Sequence, residues 1–199
     1  MIKKGLVIIW LLVLTSAVGA LFWYQDWLYQ LPTPVPKNYK LVTTGSVIEL
    51  KGLLREKSKK PVFLHFFNPD CPCSRFNKIH FQSLVRQYSQ HVTFIVVVMS
   101  IKTYSVQQIQ EKLELNLPVM FDKSIAAVCG VYSTPQAVLL DSKNRLYYRG
   151  NYNRSRYCTD ERTSYAKRAL IGLLNKDANQ VIDPLAVRAY GCSLPYCKN

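Results

Sequence analysis

The strongest pattern in the chain is an uncharged, mostly apolar stretch from Gly5 to Tyr24, preceded by Lys3 and Lys4. About 20 such residues, rising about 1.5 Å each in a helix, span a bilayer core of roughly 30 Å. Trp23, Tyr24 and Trp27 follow at the far edge, where aromatic rings favour the membrane–water interface. The pattern predicts a membrane anchor over residues 1–27, with the lysines cytoplasmic and everything after Trp27 outside. The alternative is a signal peptide cleaved near Val18-Gly19-Ala20, for which the apolar run is long.

Beyond the anchor, Leu31-Pro32-Thr33-Pro34-Val35-Pro36 reads as a stiff, extended spacer within a linker over residues 28–44. Ser46-Val47-Ile48-Glu49 has the form of a capping box, and Val47, Leu50 and Leu54 continue it as a helical stripe. Val62 to Phe67 is a short apolar run suited to a buried strand. Phe76, Ile79, Leu84 and Tyr88 recur at helical spacing between Ser74 and Gln90, and Val92 to Met99 is a second strand, almost wholly apolar. Val106, Ile109 and Leu113 predict another helix, followed by a short strand at 119–121 and a small helix at 124–129. Residues 136–140 and 145–149 form a hairpin around Asp141-Ser142-Lys143-Asn144. Thr159-Asp160-Glu161 opens a closing helix carrying Ala166, Leu170, Leu173 and Leu174. Strands and helices in this order predict a mixed α/β sheet flanked by helices over residues 45–176, with a cysteine-containing tail at 177–199.

Composition narrows the picture. Apolar residues make up 49% and charged residues 19% of the 199-residue chain, which argues against a disordered chain. The net charge of +14 draws on a basic stretch, Arg145, Arg149, Arg154, Arg156, Arg162, Lys167 and Arg168, interleaved with tyrosines. Such a face resembles a nucleic-acid surface, but a location outside the cytoplasm argues against that partner. A solvated basic face or attraction to anionic lipid headgroups fits better.

Six cysteines, an even count, suit an oxidising compartment. Cys71-Pro72-Cys73 follows the first predicted strand directly. Cys129 sits on the small helix and is expected as a buried thiol. Cys158, Cys192 and Cys197 are candidates for a structural disulfide, either Cys192–Cys197 or one of them with Cys158. A tail dithiol passing electrons to Cys71 is the other reading.

Phe66-Phe67-Asn68-Pro69-Asp70-Cys71-Pro72-Cys73-Ser74 resembles the active-site turn of thioredoxin-like proteins of the redoxin (AhpC/TSA-like) type. Gly130-Val131-Tyr132-Ser133-Thr134-Pro135 resembles that superfamily's cis-proline segment, and Leu146-Tyr147-Tyr148-Arg149-Gly150 its last hairpin strand. The resemblance implies a thioredoxin-like fold and a thiol–disulfide oxidoreductase without a cofactor. It also implies a cis Pro135 beside the active-site cysteine, and a substrate groove shaped by Pro72, Thr134 and Pro135. Protein thiols and disulfides of the cell envelope are the implied partners. Cys71 then falls at a helix N-terminus, where unpaired N–H groups and the helix dipole favour thiolate.

One residue between the cysteines, where thioredoxin has two, changes the geometry. Helical positions two apart point about 200° away from each other. A Cys71–Cys73 couple therefore needs Cys71 outside the helix, as N-cap with Pro72 at the first helical position. Cys71 is the expected nucleophile, and the resolving thiol is Cys73 or a distant cysteine. Peroxidase chemistry is disfavoured: peroxiredoxins carry Thr or Ser three residues before the reactive cysteine, where this chain has Asn68 or Asp70. Copper(I) held by Cys71 and Cys73, with His80 as third ligand, is the competing reading. A redox-inactive scaffold of the envelope is the third.

Overall fold

The computed structural model describes residues 2–50, 60–155, 161–177 and 183–194. Two compact units emerge, residues 1–31 and residues 32–199. The first is α1 (Ile2–Gln30), in which Lys3–Tyr24 is long and apolar enough to cross a membrane.

The second unit is built on a five-stranded sheet. Its strands are β1 (Val62–Phe67), β2 (Thr93–Val98), β3 (Val119–Met120), β5 (Gln136–Leu140) and β6 (Leu146–Gly150). They lie in the order β3-β2-β1-β5-β6. β1, β2 and β3 are parallel, while β5 runs antiparallel to β1 and β6 antiparallel to β5. A parallel pair needs a helical crossover, supplied between β1 and β2 by α2 (Pro72–Phe76) and α3 (Lys78–Tyr88). α4 (Val106–Leu113) connects β2 to β3. α5 (Ser124–Cys129) and the two-residue β4 (Ser133–Thr134) precede β5, and α6 (Tyr165–Leu174) follows β6. This is the expected thioredoxin-like arrangement.

Alternation along the strands divides the core into two layers. Phe63, Phe67, Phe94, Val96 and Leu139 face Phe81 and Leu84 of α3, Ile109 and Leu113 of α4, and Leu170 of α6. Leu64, Phe66, Ile95, Val97 and Val138 face Ile125, Ala126 and Cys129 of α5. Both faces are covered, so every residue of β1 is buried, including His65.

Three expectations need correction. Residues 46–50 are not helical: Val47 bridges Arg145, Ile48 N donates to Asn144 O (2.9 Å), and Leu146 N donates to Ser46 O (2.8 Å). Pairing with the hairpin and burial of Ile48 outweigh the local capping pattern, while Leu54 lies outside the described residues. The single helix expected from Ser74 to Gln90 is broken at Asn77. The break shifts the helical phase, so Phe76 and Ile79 are exposed and Phe81, Leu84 and Val85 enter the core. Finally, residues 32–42 lie against the domain rather than reaching out as a spacer. Thr33 N donates to Ala189 O (2.8 Å), Tyr39 packs edge-on against Tyr132, and Arg149 Nη1 donates to Val42 O (3.0 Å).

The capping box that does form is at α4, where Ser105 Oγ accepts from Gln108 N and Gln108 Oε1 accepts from Ser105 N. Ser105→Ala is expected to lower the unfolding free energy by about 1 kcal/mol, read from urea midpoints.

Candidate active site

β1 carries the chain to the sheet's C-terminal edge, and Asn68-Pro69-Asp70 turns it into α2. Cys71 N donates to Asn68 O (3.1 Å) and Asp70 N to Asn68 Oδ1 (3.0 Å). Cys71 is the N-cap of α2, in extended conformation (φ −88°, ψ 123°), and Pro72 takes the first helical position. Proline fits there because its missing N–H would have no helical partner. Cys71 and Cys73 are both buried.

The facing wall is the loop between α5 and β5, where the Thr134–Pro135 peptide bond is cis, as the resemblance implied. Cys71 Sγ lies 3.7 Å from Thr134 O. A sulfur in a disulfide has no proton to donate, so this contact becomes a hydrogen bond only on reduction. Thr134 is fully buried, and its Oγ1 has no hydrogen-bond partner among the described residues.

Cys71 is bonded to Cys192, 121 positions further along the chain, with an S–S distance of 2.02 Å and a Cα–Cα distance of 6.3 Å. Neither pairing expected for Cys192, with Cys197 or with Cys158, is the one formed; those two cysteines lie outside the described residues. Cys192 reaches Cys71 because the tail folds back. After α7 (Pro184–Val187) it forms β7 (Cys192–Ser193), which pairs antiparallel with β4. Cys73 is buried and is not bridged to Cys71. The Sγ atoms of Cys71, Cys73 and Cys192 all lie within 4.8 Å of one another.

His80 is not part of this cluster. Its Nε2 lies 3.2 Å from Ser164 Oγ, and its ring sits edge-on to Tyr152. In place of His80, the third potential soft-metal ligand is Cys192. Cys129 forms no disulfide and is buried in the layer that contains Ile125 and Ala126. Burial pushes its thiol up to about 12, against a smaller opposing effect of Arg149, which leaves it protonated and unreactive.

Sequence reasoning missed two features. The tail partner Cys192 gave only the weak signal of a Gly-Cys pair near the end. Asp70, adjacent to Cys71, was also overlooked. Its carboxylate accepts from Lys102 Nζ (2.8 Å), Ser100 Oγ (2.9 Å) and Tyr104 OH (2.9 Å). The Lys102 hydrogen bond holds Asp70 below its usual carboxylate value, aided by Ser100 and Tyr104 and opposed by burial. The ion pair ties the 100–104 loop to the active-site turn. It also offsets a negative charge that would otherwise disfavour a thiolate next door.

Solved structures with this fold include a hypothetical protein from Sinorhizobium meliloti 1021 (TM-score 0.62, 17% identity, 78% of this chain and 96% of that one). An uncharacterised conserved protein from Geobacillus kaustophilus is also similar (TM-score 0.57, 19% identity, 82% and 97%). The thioredoxin domain of a thiol-disulfide oxidoreductase from Bacteroides vulgatus superposes at a TM-score of 0.47 (18% identity, 62% and 99%). No curated protein matches the sequence. A protein-family match spans residues 42–199, most of the chain, and the chain therefore belongs to DUF6436, described as a domain of unknown function.

Proposed function

We propose that this chain carries out thiol–disulfide exchange on protein partners, with Cys71 as the cysteine that bonds to the partner. The observation that carries the reading is the Cys71–Cys192 disulfide at a strand-to-helix turn, against the cis-Pro135 loop. Starting from that disulfide, a partner thiolate attacks Cys71 Sγ. The bond to Cys192 breaks, and Cys192 leaves as thiolate. A second partner thiolate then attacks the partner sulfur of the mixed disulfide and releases Cys71 as thiolate. The partner loses two electrons and two protons; Cys71 and Cys192 gain both and become thiols. Reversed, the same steps reduce a partner disulfide. On this reading Cys73 can resolve the mixed disulfide in place of Cys192, which its distance of under 4.8 Å from both bonded sulfurs supports. The domain is, on the same reading, of redoxin (AhpC/TSA-like) type, held by α1 as a single-pass anchor outside the cytoplasmic membrane, where disulfides persist; the long apolar segment and the two lysines at its start support it.

The test is thiol-trapping mass spectrometry of the full chain across a graded glutathione buffer. The Cys71–Cys192 linked peptide should disappear in one two-electron step, with Cys129 in the same state throughout. Failure to find that linkage at any potential, or its resistance to reduction in the folded protein, would sink the proposal.

The three clustered sulfurs also favour a second reading, in which the reduced protein carries Cu(I) as cargo on Cys71, Cys73 and Cys192. Copper retained by the reduced chain through gel filtration, and lost in Cys192→Ser, would favour it over exchange.

A further inference from the structure

We propose that residues 190–194 are a built-in stand-in for the protein substrate. On this reading the site takes an extended peptide in which glycine precedes the reacting cysteine and an aliphatic residue follows it two positions later. The inference rests on the exchange reading of Cys71 and names the substrate class for it.

The tail occupies the place where an incoming chain would pair. Thr134, whose carbonyl faces Cys71 Sγ, lies opposite Cys192 in the β4–β7 register, and Ser133 lies opposite Ser193. Leu194 N extends the pairing by donating to Tyr132 O (3.2 Å). A backbone docked this way delivers its cysteine sulfur to Cys71, which the disulfide itself demonstrates.

Side chains on either side of Cys192 define the selectivity. Gly191 has φ +115°, and a Cβ there would run into the carbonyl oxygen of Thr134. The position before the cysteine therefore requires glycine. Leu194 is 6% exposed and packs into the core layer that contains Met99 and Val131. It also borders a cavity of about 780 Å³ lined in part by Tyr39, Lys123, Ala127 and Tyr132.

The tail is built to let go locally. Residues 183–190 are fastened to the domain independently of the disulfide. Asn151 N donates to Ala186 O (2.8 Å), Asn151 Nδ2 to Leu185 O (3.0 Å) and Arg188 O (2.7 Å), and Tyr190 OH to Asn153 O (2.6 Å). Residues 191–194 depend on β4, the contact between Thr33 Oγ1 and Gly191 O (3.3 Å), the Leu194 site and the disulfide. Once a substrate thiolate attacks Cys71 Sγ, Cys192 departs as thiolate and takes up the proton the substrate lost. The segment then swings from Gly191, and substrate backbone pairs with Thr134 in its place.

The experiment uses the reduced full chain carrying Cys192→Ser, which removes the covalent competitor. The probe is the hexapeptide of residues 189–194 with its cysteine linked to 2-nitro-5-thiobenzoate. Colour release reports formation of a disulfide with the chain, and peptide mapping of the product assigns it to Cys71. The native peptide should react at least about tenfold faster than one with valine for the glycine or aspartate for the leucine. The reduced wild-type chain should give the same ranking at lower rates, which guards against a misfolded variant. Equal rates for the three peptides, with ready reaction of Cys71 towards free dithiobis-nitrobenzoate, would overturn the stand-in and leave exchange standing. No reaction of Cys71 with any probe would overturn exchange itself.

Discussion

Cys71→Ser is expected to bring exchange with a protein disulfide down to the buffer background, while Cys192→Ser keeps the first step. Only Cys71 occupies both the N-cap of α2 and the contact with the cis-proline loop, so no other thiol among the described residues can replace it. Cys192 enters only when the mixed disulfide is resolved or the resting disulfide is formed. Cys192→Ser should therefore accumulate a Cys71–partner adduct, unless Cys73 resolves it. An adduct that appears only in the Cys192→Ser, Cys73→Ser double variant would give the resolving role to both. The stability of the oxidised protein supplies the control. The disulfide spans 121 positions, for which chain-entropy reasoning gives about 5 kcal/mol and typical measured values are about 2–4 kcal/mol. Cys71→Ser and Cys192→Ser remove the same cross-link, so urea unfolding should show similar losses of stability for both. Equal losses with unequal exchange mark a reactive cysteine. Equal losses with no exchange in the wild type mark a structural disulfide and end the proposal.

What could be read from the sequence divides along a physical line. β1, β2 and α4 were legible because burial on both faces leaves long apolar runs, and because a one-sided helix leaves a stripe. The N-cap position of Cys71 was legible because Pro72 is tolerated in a helix only at its start. Where the reading failed, the deciding interactions were distant. Ser46 to Glu49 carries a local helix signal, yet its backbone is bonded to Asn144 and Leu146, nearly a hundred residues away. The break at Asn77 has no proline or glycine to mark it, so the sequence stripe runs through Phe76 and Ile79, which the fold leaves exposed. Two-residue strands such as β4 and β7 are too short to show any period. The pairing of Cys71 with Cys192 follows from those strands, and no cysteine spacing encodes it. The thiol at Cys71 was therefore predictable from its neighbours, whereas its partner became visible only once the tail was seen folded into the groove.

Acidification from pH 6.5 towards pH 4 is expected to destabilise the domain through His65 alone with a slope that approaches about 1.4 kcal/mol per pH unit, or about 3 kcal/mol over that range. His65 lies at the centre of β1, fully buried, with its ring stacked on Phe81 at 4.0 Å. Its Nδ1 meets Tyr152 OH at 2.6 Å, and Nε2 has no hydrogen-bond partner among the described residues. A second proton would put a charge among Phe67, Phe81 and Tyr152, so desolvation lowers the folded-state value from 6.5 to about 3. The unfolded chain binds that proton near pH 6.5 and the folded chain does not until about pH 3. Between those values the unfolded state holds more protons, and folding stability rises with pH. The contribution is complete above pH 6.5 and falls as the pH drops towards 3. Urea titrations of the oxidised full chain at half-unit steps would measure the slope. His65→Leu removes the titrating group, at the cost of leaving Tyr152 OH without this partner, so the double variant His65→Leu, Tyr152→Phe is the better comparison. That variant should be flatter by about one proton between pH 6.5 and 4. An unchanged slope would show that His65 accepts its proton while folded and that the aromatic layer over β1 opens to water. The same measurement on the reduced protein asks whether the active-site disulfide, at the end of this strand, holds that layer closed: a shallower slope after reduction would couple the redox state of Cys71 to the packing around His65.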